Sequence, residues 1–367
     1  MHRQISLDIF RGLTLAAMLL VNNPGSWSHV YAPLLHAKWH GLTPTDLIFP
    51  FFMFIVGAAM FYSMAKFAHS GAPGHKVQVP WVKIVKRTTL LFLIGFLLNI
   101  YPFNGPISDW RIMGVLQRIA LCYGVVAVLV CLLDRKKLWW LSLAILIAYW
   151  GLLNLVNLPY SLSDNLVRLV DIKIFGASHL YQGFGVAFDP EGLLSCLPAL
   201  VTVIAGYLTS AMLCHTKAAK SQCTTLLVWA TMGLVIGGVW HVLLPVNKAL
   251  WTSSYVLVSA AFAWLVLSLI IYLYDIKAFK NGFNWAQIYG SNPLFVYVLA
   301  WLFAATLGMI NWTNDAGNTF NPQSFIYQNL SQFMPEKLAS LIFALLFVGL
   351  FYVVSHYLYK RKIFIKL

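Results

Sequence analysis

The stretch from Asn22 to Pro50 concentrates the residues that are best suited to acid–base chemistry. It lies between two long apolar runs and contains two Asn, three His, two Trp, one Lys and one Asp. Histidine takes and gives a proton near neutral pH. A carboxylate beside it, such as Asp46, would orient the ring, so we predict that His36 in H-A-K-W-H-G-L-T is a base or nucleophile. The alternative is an interfacial belt of His and Trp that only positions helix ends.

Gln117 and Arg118 are polar residues about two turns into the fourth apolar run, R-I-M-G-V-L-Q-R-I-A. A permanently charged guanidinium in such a place requires an anionic partner. Asp46, Glu191 and a bound phosphate are the partners that the sequence offers. A ligand contact and a structural ion pair are therefore both open interpretations.

Lys248 follows the seventh apolar run in the segment P-V-N-K-A-L-W-T-S-S-Y, together with Asn247 and Trp251. Few other cations occur in the connections on that side of the predicted bundle, which makes Lys248 a candidate for binding an anion of a ligand. The alternative is that its side chain snorkels from an apolar stem to the interface.

Three short patterns have structural interpretations. Asp8 and Arg11 are three residues apart on one predicted helix and would pair with each other on one face. The run F-D-P-E-G, which contains Asp189 and Glu191, is typical of a helix start, although Glu191 is also a candidate for a polar pocket. Asn292 precedes a proline and indicates another helix start.

The composition predicts an all-α protein that crosses a membrane many times. Of the 367 residues, 60% are hydrophobic and only 10% charged, against about a quarter in a soluble domain. Apolar runs of membrane-spanning length recur along the whole chain, and such runs form helices inside lipid. The five Cys do not have metal-ligand spacing, and we expect them to be core residues with no metal site. The N-terminal run contains Asp8 and Arg11, so we interpret it as a retained first helix.

The pattern predicts one transmembrane domain over residues 1–367, with about ten spans. They cover approximately residues 5–22, 45–67, 82–101, 112–133, 138–157, 191–213, 224–244, 253–274, 290–311 and 338–359.

The distribution of the cations predicts the orientation. The connections that would face one side hold 17 of the 25 Lys and Arg, and those on the other side hold six. The positive-inside rule therefore places both termini in the cytoplasm and residues 22–50 outside a cytoplasmic (inner) membrane. The basic surplus is thus topological, and no nucleic-acid partner is expected. Membrane lipid surrounds the bundle, and a homodimer is left open.

The motifs together resemble the catalytic membrane domain of the heparan-α-glucosaminide N-acetyltransferase family, including its bacterial NagX-like relatives. The matching stretches keep their order along the chain and are S-L-D-I-F-R-G-L-T from Ser6, V-N from Val21, H-A-K-W-H-G-L-T-P-T-D-L-I-F-P-F-F-M-F-I-V-G from His36, G-V-L-Q-R-I-A from Gly114, F-D-P-E-G-L-L from Phe188 and P-V-N-K-A-L-W-T-S-S-Y from Pro245.

This resemblance implies a bundle that transfers an acetyl group from cytosolic acetyl-CoA to an amine on the far side of the membrane, the acceptor being an amino sugar or glycan end. The histidine of the family motif falls on His36, and the asparagine after the first span falls on Asn22, which would donate to the thioester oxygen. Residues expected to hold acetyl-CoA are Gln117, Arg118, Asn247, Lys248 and Trp251. An acetyl-His intermediate and direct transfer both remain open.

Two functions from other classes also fit the residues. A secondary transporter for a sugar or peptide-like solute would use buried charges as a substrate or proton path. However, the chain has no evident pair of interrupted spans in matching halves, which is the sequence pattern of many such transporters. A receptor or assembly factor without turnover is the third alternative. Release of CoA from acetyl-CoA distinguishes the enzyme from both.

Overall fold

The computed structural model describes residues 4–69, 78–313 and 319–365, and within these ranges the regular secondary structure is almost entirely helical. A single two-residue hairpin, Trp312–Thr313 (β1) with Thr319–Phe320 (β2), pairs Trp312 with Phe320. The helices are α1 Ile5–Asn22, α2 Ile48–Ser63, α3 Trp81–Ile100, α4 Val115–Leu132, α5 Arg135–Leu153, α6 Leu166–Phe175, α7 Cys196–His215, α8 Ala219–His241, α9 Ser253–Ile271, α10 Asn284–Tyr289, α11 Pro293–Met309, α12 Pro322–Ser331 and α13 Glu336–Lys360.

The predicted class, an all-α multi-pass membrane protein, is confirmed. Eight helical segments in the described ranges are long and apolar enough to cross a membrane, or nine if the bent pair Asn281–Tyr289 and Pro293–Met309 is one span. The predicted number of about ten is not reached by this measure. Helix α3 occupies a predicted span, but it carries three cations, Lys83, Lys86 and Arg87, near its start. The cytoplasmic placement of the termini stays a prediction.

Helix α7 is the centre of the bundle. In its most apolar stretch of 18 residues, 83% of the residues are buried. The same fraction is 28% in α5 and in α8, which lie at the periphery. Helix α2 packs closely on α7 through glycine. A methyl group added to Gly57 would overlap the backbone of Val203, and one added to Gly206 would overlap the backbone of Phe54. Small residues at a helix contact let two backbones approach and gain dispersion energy, which replaces the hydrophobic drive that lipid does not provide.

The chain bends by 68° between α10 and α11, beside the first half of α1. Gly12 of α1 lies against the backbone of α10, and Gly290 lies against the backbone of Asp8. The predicted pairing of Asp8 with Arg11 is confirmed, with Arg11 Nη1 2.9 Å from Asp8 Oδ1. Arg11 also donates to the carbonyl of Gly290 at 3.4 Å, so this pair is part of the packing at the bend.

Asn292 does more than begin a helix, which was its predicted role. The amide of its buried side chain donates to the carbonyl of Ile363 at 2.9 Å, and its oxygen accepts from the amide of Ile365 at 2.8 Å. The side chain therefore fastens the segment that follows α13 to the start of α11.

The predicted start of the sixth span near residue 191 is wrong. Helix α7 begins at Cys196. Asp189 and Glu191 do not cap it, because both carboxylates pair with Arg111, which precedes α4. A partly buried arginine from another part of the chain is thus their partner in place of the local helix dipole. These residues lie at the end of the bundle where α1 ends and α2, α4, α7 and α9 begin, which we name the site end.

Candidate active site

Asp46 is held rigidly at the site end by the turn that leads into α2. Its carboxylate accepts hydrogen bonds from the backbone amides of Thr43 and Ala37, each at 3.0 Å. The bond from Thr43, three residues earlier, is half of a capping box, which the T-P-T-D sequence favours. The carbonyl of Asp46 accepts from the Tyr255 hydroxyl of α9 at 2.6 Å. The side chain of Asp46 is only 1% exposed. The carboxylate is therefore fixed in position, and few water molecules reach its charge.

His36 is the residue that this carboxylate presents to solvent. The ring Nδ1 lies 2.7 Å from Asp46 Oδ1, and the side chain of His36 is 51% exposed. A carboxylate accepts hydrogen bonds, so Nδ1 carries the proton and Nε2 keeps its lone pair. The structure therefore brings the predicted base and its predicted orienting group together. The free Nε2 suits either proton abstraction or nucleophilic attack.

Lys248 lies against the same imidazole. Its amine is 3.2 Å from Nδ1 and 3.3 Å from Nε2 of His36, and 3.9 Å from Asp46 Oδ1. The lone-pair directions of the two ring nitrogens diverge, so no atom lies along both. An atom in the ring plane at these distances would collide with Cε1, and the amine is therefore over the face of the ring. Burial lowers the pKa of Lys248, and Arg118 adds to that effect, against the opposing charges of Glu191 and Asp46.

Asn247 shapes the turn that carries Lys248. Its side-chain oxygen accepts from the amide of Leu250 at 2.8 Å, and its Nδ2 lies 3.2 Å from Nδ1 of His40. The amide of Gly41 donates to the carbonyl of Val246 at 2.9 Å. The turn after α8 is thus joined to the segment of His36. Burial lowers the pKa of His40, and the nearby His241 adds to this.

His36, Asp46 and Lys248 line a cavity of about 640 Å³ that runs from the site end between α1 and α11. Asn22, the last residue of α1, also lines it, and its role as a donor to the thioester oxygen stays a prediction. The remaining polar lining residues are Asn23, Lys38, Arg111 and Glu191. The aromatic lining residues are Trp27, Trp39, Tyr181, Phe184, Tyr297 and Trp301.

One wall of this cavity is an ion-pair cluster centred on Arg111. The guanidinium forms two 2.8 Å bonds with the fully buried Asp189 and a 2.6 Å bond with Glu191 Oε2. It also lies 4.8 Å from the centre of the Tyr181 ring. Planar, bidentate pairing of this kind fixes both partners. The cluster therefore holds Glu191, of which the side chain is 10% exposed, at the cavity surface.

Trp39 begins an aromatic wall that continues from this cluster. Its indole donates to the carbonyl of Tyr160 at 2.7 Å, and its ring packs edge-on against Phe184 and Phe188. The His36 segment is thereby anchored to the connection between α5 and α6. Rings held in this way offer a rigid apolar surface beside the carboxylates.

Arg118, Gln117 and Trp251 lie outside the cavity lining. Arg118 is fully buried and donates to the carbonyl of Gly192 at 3.1 Å and to the Ser195 hydroxyl. Its hydrogen-bond partners are therefore neither Asp46 nor Glu191, the two carboxylates that the sequence offered. Its guanidinium lies 4.9 Å from the centre of the Trp251 ring. Gln117 donates to the carbonyl of Ile112 at 3.0 Å. These side chains, with Asn247, support the cavity from behind.

Arg111 is the charged site residue that our sequence analysis missed. It was treated only as one of six cations in the outer connections. The available signal was an arginine directly before the predicted fourth span, combined with two acidic residues at the start of the predicted sixth. Arg111 and Asp189 are 78 residues apart, and nothing in the sequence predicted that they would lie in one cluster. Their contact depends on how α4 packs on α7.

Comparison with known proteins points in one direction. The family model described as heparan-alpha-glucosaminide N-acetyltransferase, catalytic, matches residues 3–244. The chain is 30% identical to the human heparan-alpha-glucosaminide N-acetyltransferase over 99% of its length and 59% of that protein. It is also 30% identical to the mouse protein over 81% of its length and 53% of that protein. The chain thus spans between half and three fifths of these relatives. It belongs to the heparan-α-glucosaminide N-acetyltransferase catalytic family.

Proposed function

We propose that the protein is a membrane N-acetyltransferase that moves an acetyl group from acetyl-CoA to the amine of an amino sugar, at the outer face of the membrane. The observation that carries this proposal is the pairing of Asp46 with His36 Nδ1 at 2.7 Å, at the mouth of a 640 Å³ cavity. Membership of the family supports the same reaction.

In this reaction His36 removes a proton from the acceptor amine or takes the acetyl group itself through Nε2. Both roles need a neutral ring with Nε2 unprotonated, which is the tautomer that the carboxylate of Asp46 favours. Asn22 would donate a hydrogen bond to the thioester oxygen as negative charge develops there. Direct transfer and an acetyl-His route both use these groups.

The cavity walls support an amino-sugar acceptor. Aromatic rings such as Trp39 and Tyr181 offer flat faces on which the apolar face of a sugar ring stacks. Glu191 and Asp46 supply negative charge for an ammonium group and acceptors for hydroxyl groups. Glucosamine-type ends combine these features, and for that reason we name them as the acceptor class.

Acetyl-CoA is the expected donor. The five residues predicted to contact it fall into two groups according to whether they line the cavity. Of the five, Lys248 lines the cavity, whereas Gln117, Arg118, Asn247 and Trp251 are enclosed behind it. We therefore assign Lys248 and the neighbouring Arg111 to the cavity surface, where cations suit the charges of a CoA ester. The enclosed four would shape the wall.

The outer location of the site rests on the asymmetry of the cations. Reporter fusions after Lys137 and after Lys220 should both report the cytoplasm. An outside signal at either fusion point would overturn this orientation and, with it, the outer placement of the acceptor.

The central test is His36→Ala in detergent-purified protein, supplied with acetyl-CoA and a panel of amino sugars. Free CoA thiol and acetylated sugar are measured. We expect about a 10²–10⁴-fold loss of rate at unchanged folded yield, which is the usual contribution of a general base.

His40→Ala is the matched control, because His40 lies on the same segment but faces Asn247 and does not line the cavity. Equal losses in both variants would favour the interfacial-belt interpretation, and full activity in His36→Ala would remove His36 from the mechanism. A wild-type protein that carries amino sugars across vesicles without releasing CoA would favour the transporter.

A further inference from the structure

We propose that Lys248 is an acetylation site of the protein itself, and that its side-chain amine takes the acetyl group when no acceptor occupies the cavity. This inference rests on the proposed function, because it uses the same donor and the same histidine. It adds a modified residue and a competing acceptor to that reaction.

The geometry places a primary amine where the acceptor amine has to be. The amine of Lys248 lies within 3.3 Å of both ring nitrogens of His36, on the face of the ring. An amine can attack a carbonyl carbon only from above the acyl plane. An acetyl group on Nε2 would be coplanar with the imidazole, so an amine over the ring face lies on the side from which that attack proceeds. Nδ1 is engaged by Asp46, and Nε2 is the nitrogen left to carry the group.

The surroundings of Lys248 are those that a reactive amine requires. Its side chain is 21% exposed and lines the cavity together with Asp46 and Glu191. The two carboxylates hold its ammonium form, as they would hold the ammonium of an amino sugar. Burial also lowers the pKa of Lys248, which increases the share of neutral, nucleophilic amine near neutral pH.

The step balances without an added reagent. His36 Nε2 first attacks the thioester carbonyl, the Nε2–C bond forms, the C–S bond breaks, and the departing CoA thiolate takes up one proton. The neutral Lys248 amine then attacks the same acetyl carbon, the C–N bond of an amide forms, the Nε2–C bond breaks, and the amine loses one proton, so that proton uptake and release cancel. The products are Nε-acetyl-lysine and CoA thiol, with no change of oxidation state.

Acetylation would change the cavity as well as the lysine. It removes the positive charge that faces Asp46 and Glu191 and leaves an amide methyl group beside His36. The acceptor position would then be filled by the chain itself. We therefore expect transfer to an amino sugar to be slowed in the acetylated protein, and a bound amino sugar to protect Lys248 by displacing its amine.

The experiment uses the purified full-length chain in detergent with deuterated acetyl-CoA and no acceptor, followed by proteolysis and peptide mass spectrometry. We expect one deuterated acetyl group on Lys248. The rate of labelling should fall by at least about 100-fold in His36→Ala, and the yield of labelled Lys248 should fall when glucosamine is present. Lys38 is the internal control, because it lines the same cavity but is exposed. In a second variant, Lys248→Arg, the peptide that contains residue 248 should stay unlabelled.

The possible outcomes separate the inference from the function on which it rests. Acetylated glucosamine without label on Lys248 in the same preparation would overturn the inference and leave the proposed function intact. Equal labelling of Lys38 and Lys248 that persists in His36→Ala would show non-enzymatic acetylation and also overturn it. Protein that neither acetylates sugar nor labels Lys248, yet binds acetyl-CoA, would overturn both. Label on Lys248 and not on Lys38 that depends on His36 upholds the inference, and label on Lys248 that persists in His36→Ala overturns it.

Discussion

Replacing Asp46 with Asn tests whether the carboxylate selects the tautomer of His36. The amide of Asn has one acceptor oxygen and one donor nitrogen. If its nitrogen took the Oδ2 position, it would face the donating backbone amides of Ala37 and Thr43. The side chain should therefore turn its oxygen to those amides and its nitrogen to His36 Nδ1. The ring would then accept at Nδ1 and carry its proton on Nε2, the wrong nitrogen for catalysis.

The structure sets the size of the two effects. Loss of a usable base should lower the transfer rate by about 10²–10⁴-fold. The two backbone bonds survive but lose their charge, and a charge-assisted bond contributes roughly 1 kcal/mol more than a neutral one. The free energy of unfolding should therefore fall by about 2 kcal/mol, which is small enough to leave a folded protein.

The assay combines initial rates of CoA release with thermal unfolding of the same preparation in detergent. Asp164→Asn is the matched control, because this carboxylate is exposed on the α5–α6 connection and should change neither quantity. A folded Asp46→Asn protein with nearly wild-type rate would refute the reasoning, since the tautomer of His36 would then not depend on Asp46.

Three further predictions concern the scaffold. Gly57→Ala should lower the unfolding temperature, at a cost of about 1–3 kcal/mol for overpacking, whereas Gly349→Ala in α13, where an added methyl group meets nothing within 4 Å, should not; equal stability of the two would contradict the close α2–α7 contact. Burial, partly offset by the amide of Leu193, raises the pKa of Asp171 to about 7. The stability that the protonated Asp171 carboxyl contributes is complete below the unfolded pKa near 3.8 and is lost as the pH rises through about 7. The unfolding temperature should therefore fall between about pH 4 and pH 7 more in the wild type than in Asp171→Asn. Replacing either Asp8 or Arg11 by a neutral residue should reduce the folded yield, and replacing both should restore part of it; no recovery in the double variant would argue against a structural pair.

The parts of the site that could be predicted from the sequence are those set by local spacing. The contact of Asp46 with Thr43 follows from a capping box of four residues. The pairing of Asp8 with Arg11 follows from the helical period. His36 occupies a fixed position in a family motif and lies ten residues from Asp46 on one connection, so the two could hardly be far apart.

The parts that could not be predicted depend on the packing of distant helices. Arg118 needed a partner, but the choice between carboxylates, a ligand and the ring of Trp251 depended on how α4, α7 and α9 meet. Lys248 was predicted to bind a ligand anion from its place on an outer connection. Its position over His36, 212 residues away, results from the contacts of Asn247 and Gly41 across two connections. No spacing rule describes such contacts.

The fastening of the last residues to Asn292 has a practical consequence for handling the protein. A chain cut after Lys362 would leave the enclosed carboxamide of Asn292 without its hydrogen bonds to Ile363 and Ile365. Asn292 lies at the bend between α10 and α11, directly before α11 begins. Helix α11 carries Tyr297 and Trp301 on the cavity wall. Expression vectors that trim the C-terminus or replace it with a short affinity tag would therefore disturb the cavity from the far end of the molecule, whereas a tag joined beyond Leu367 through a flexible linker would spare it.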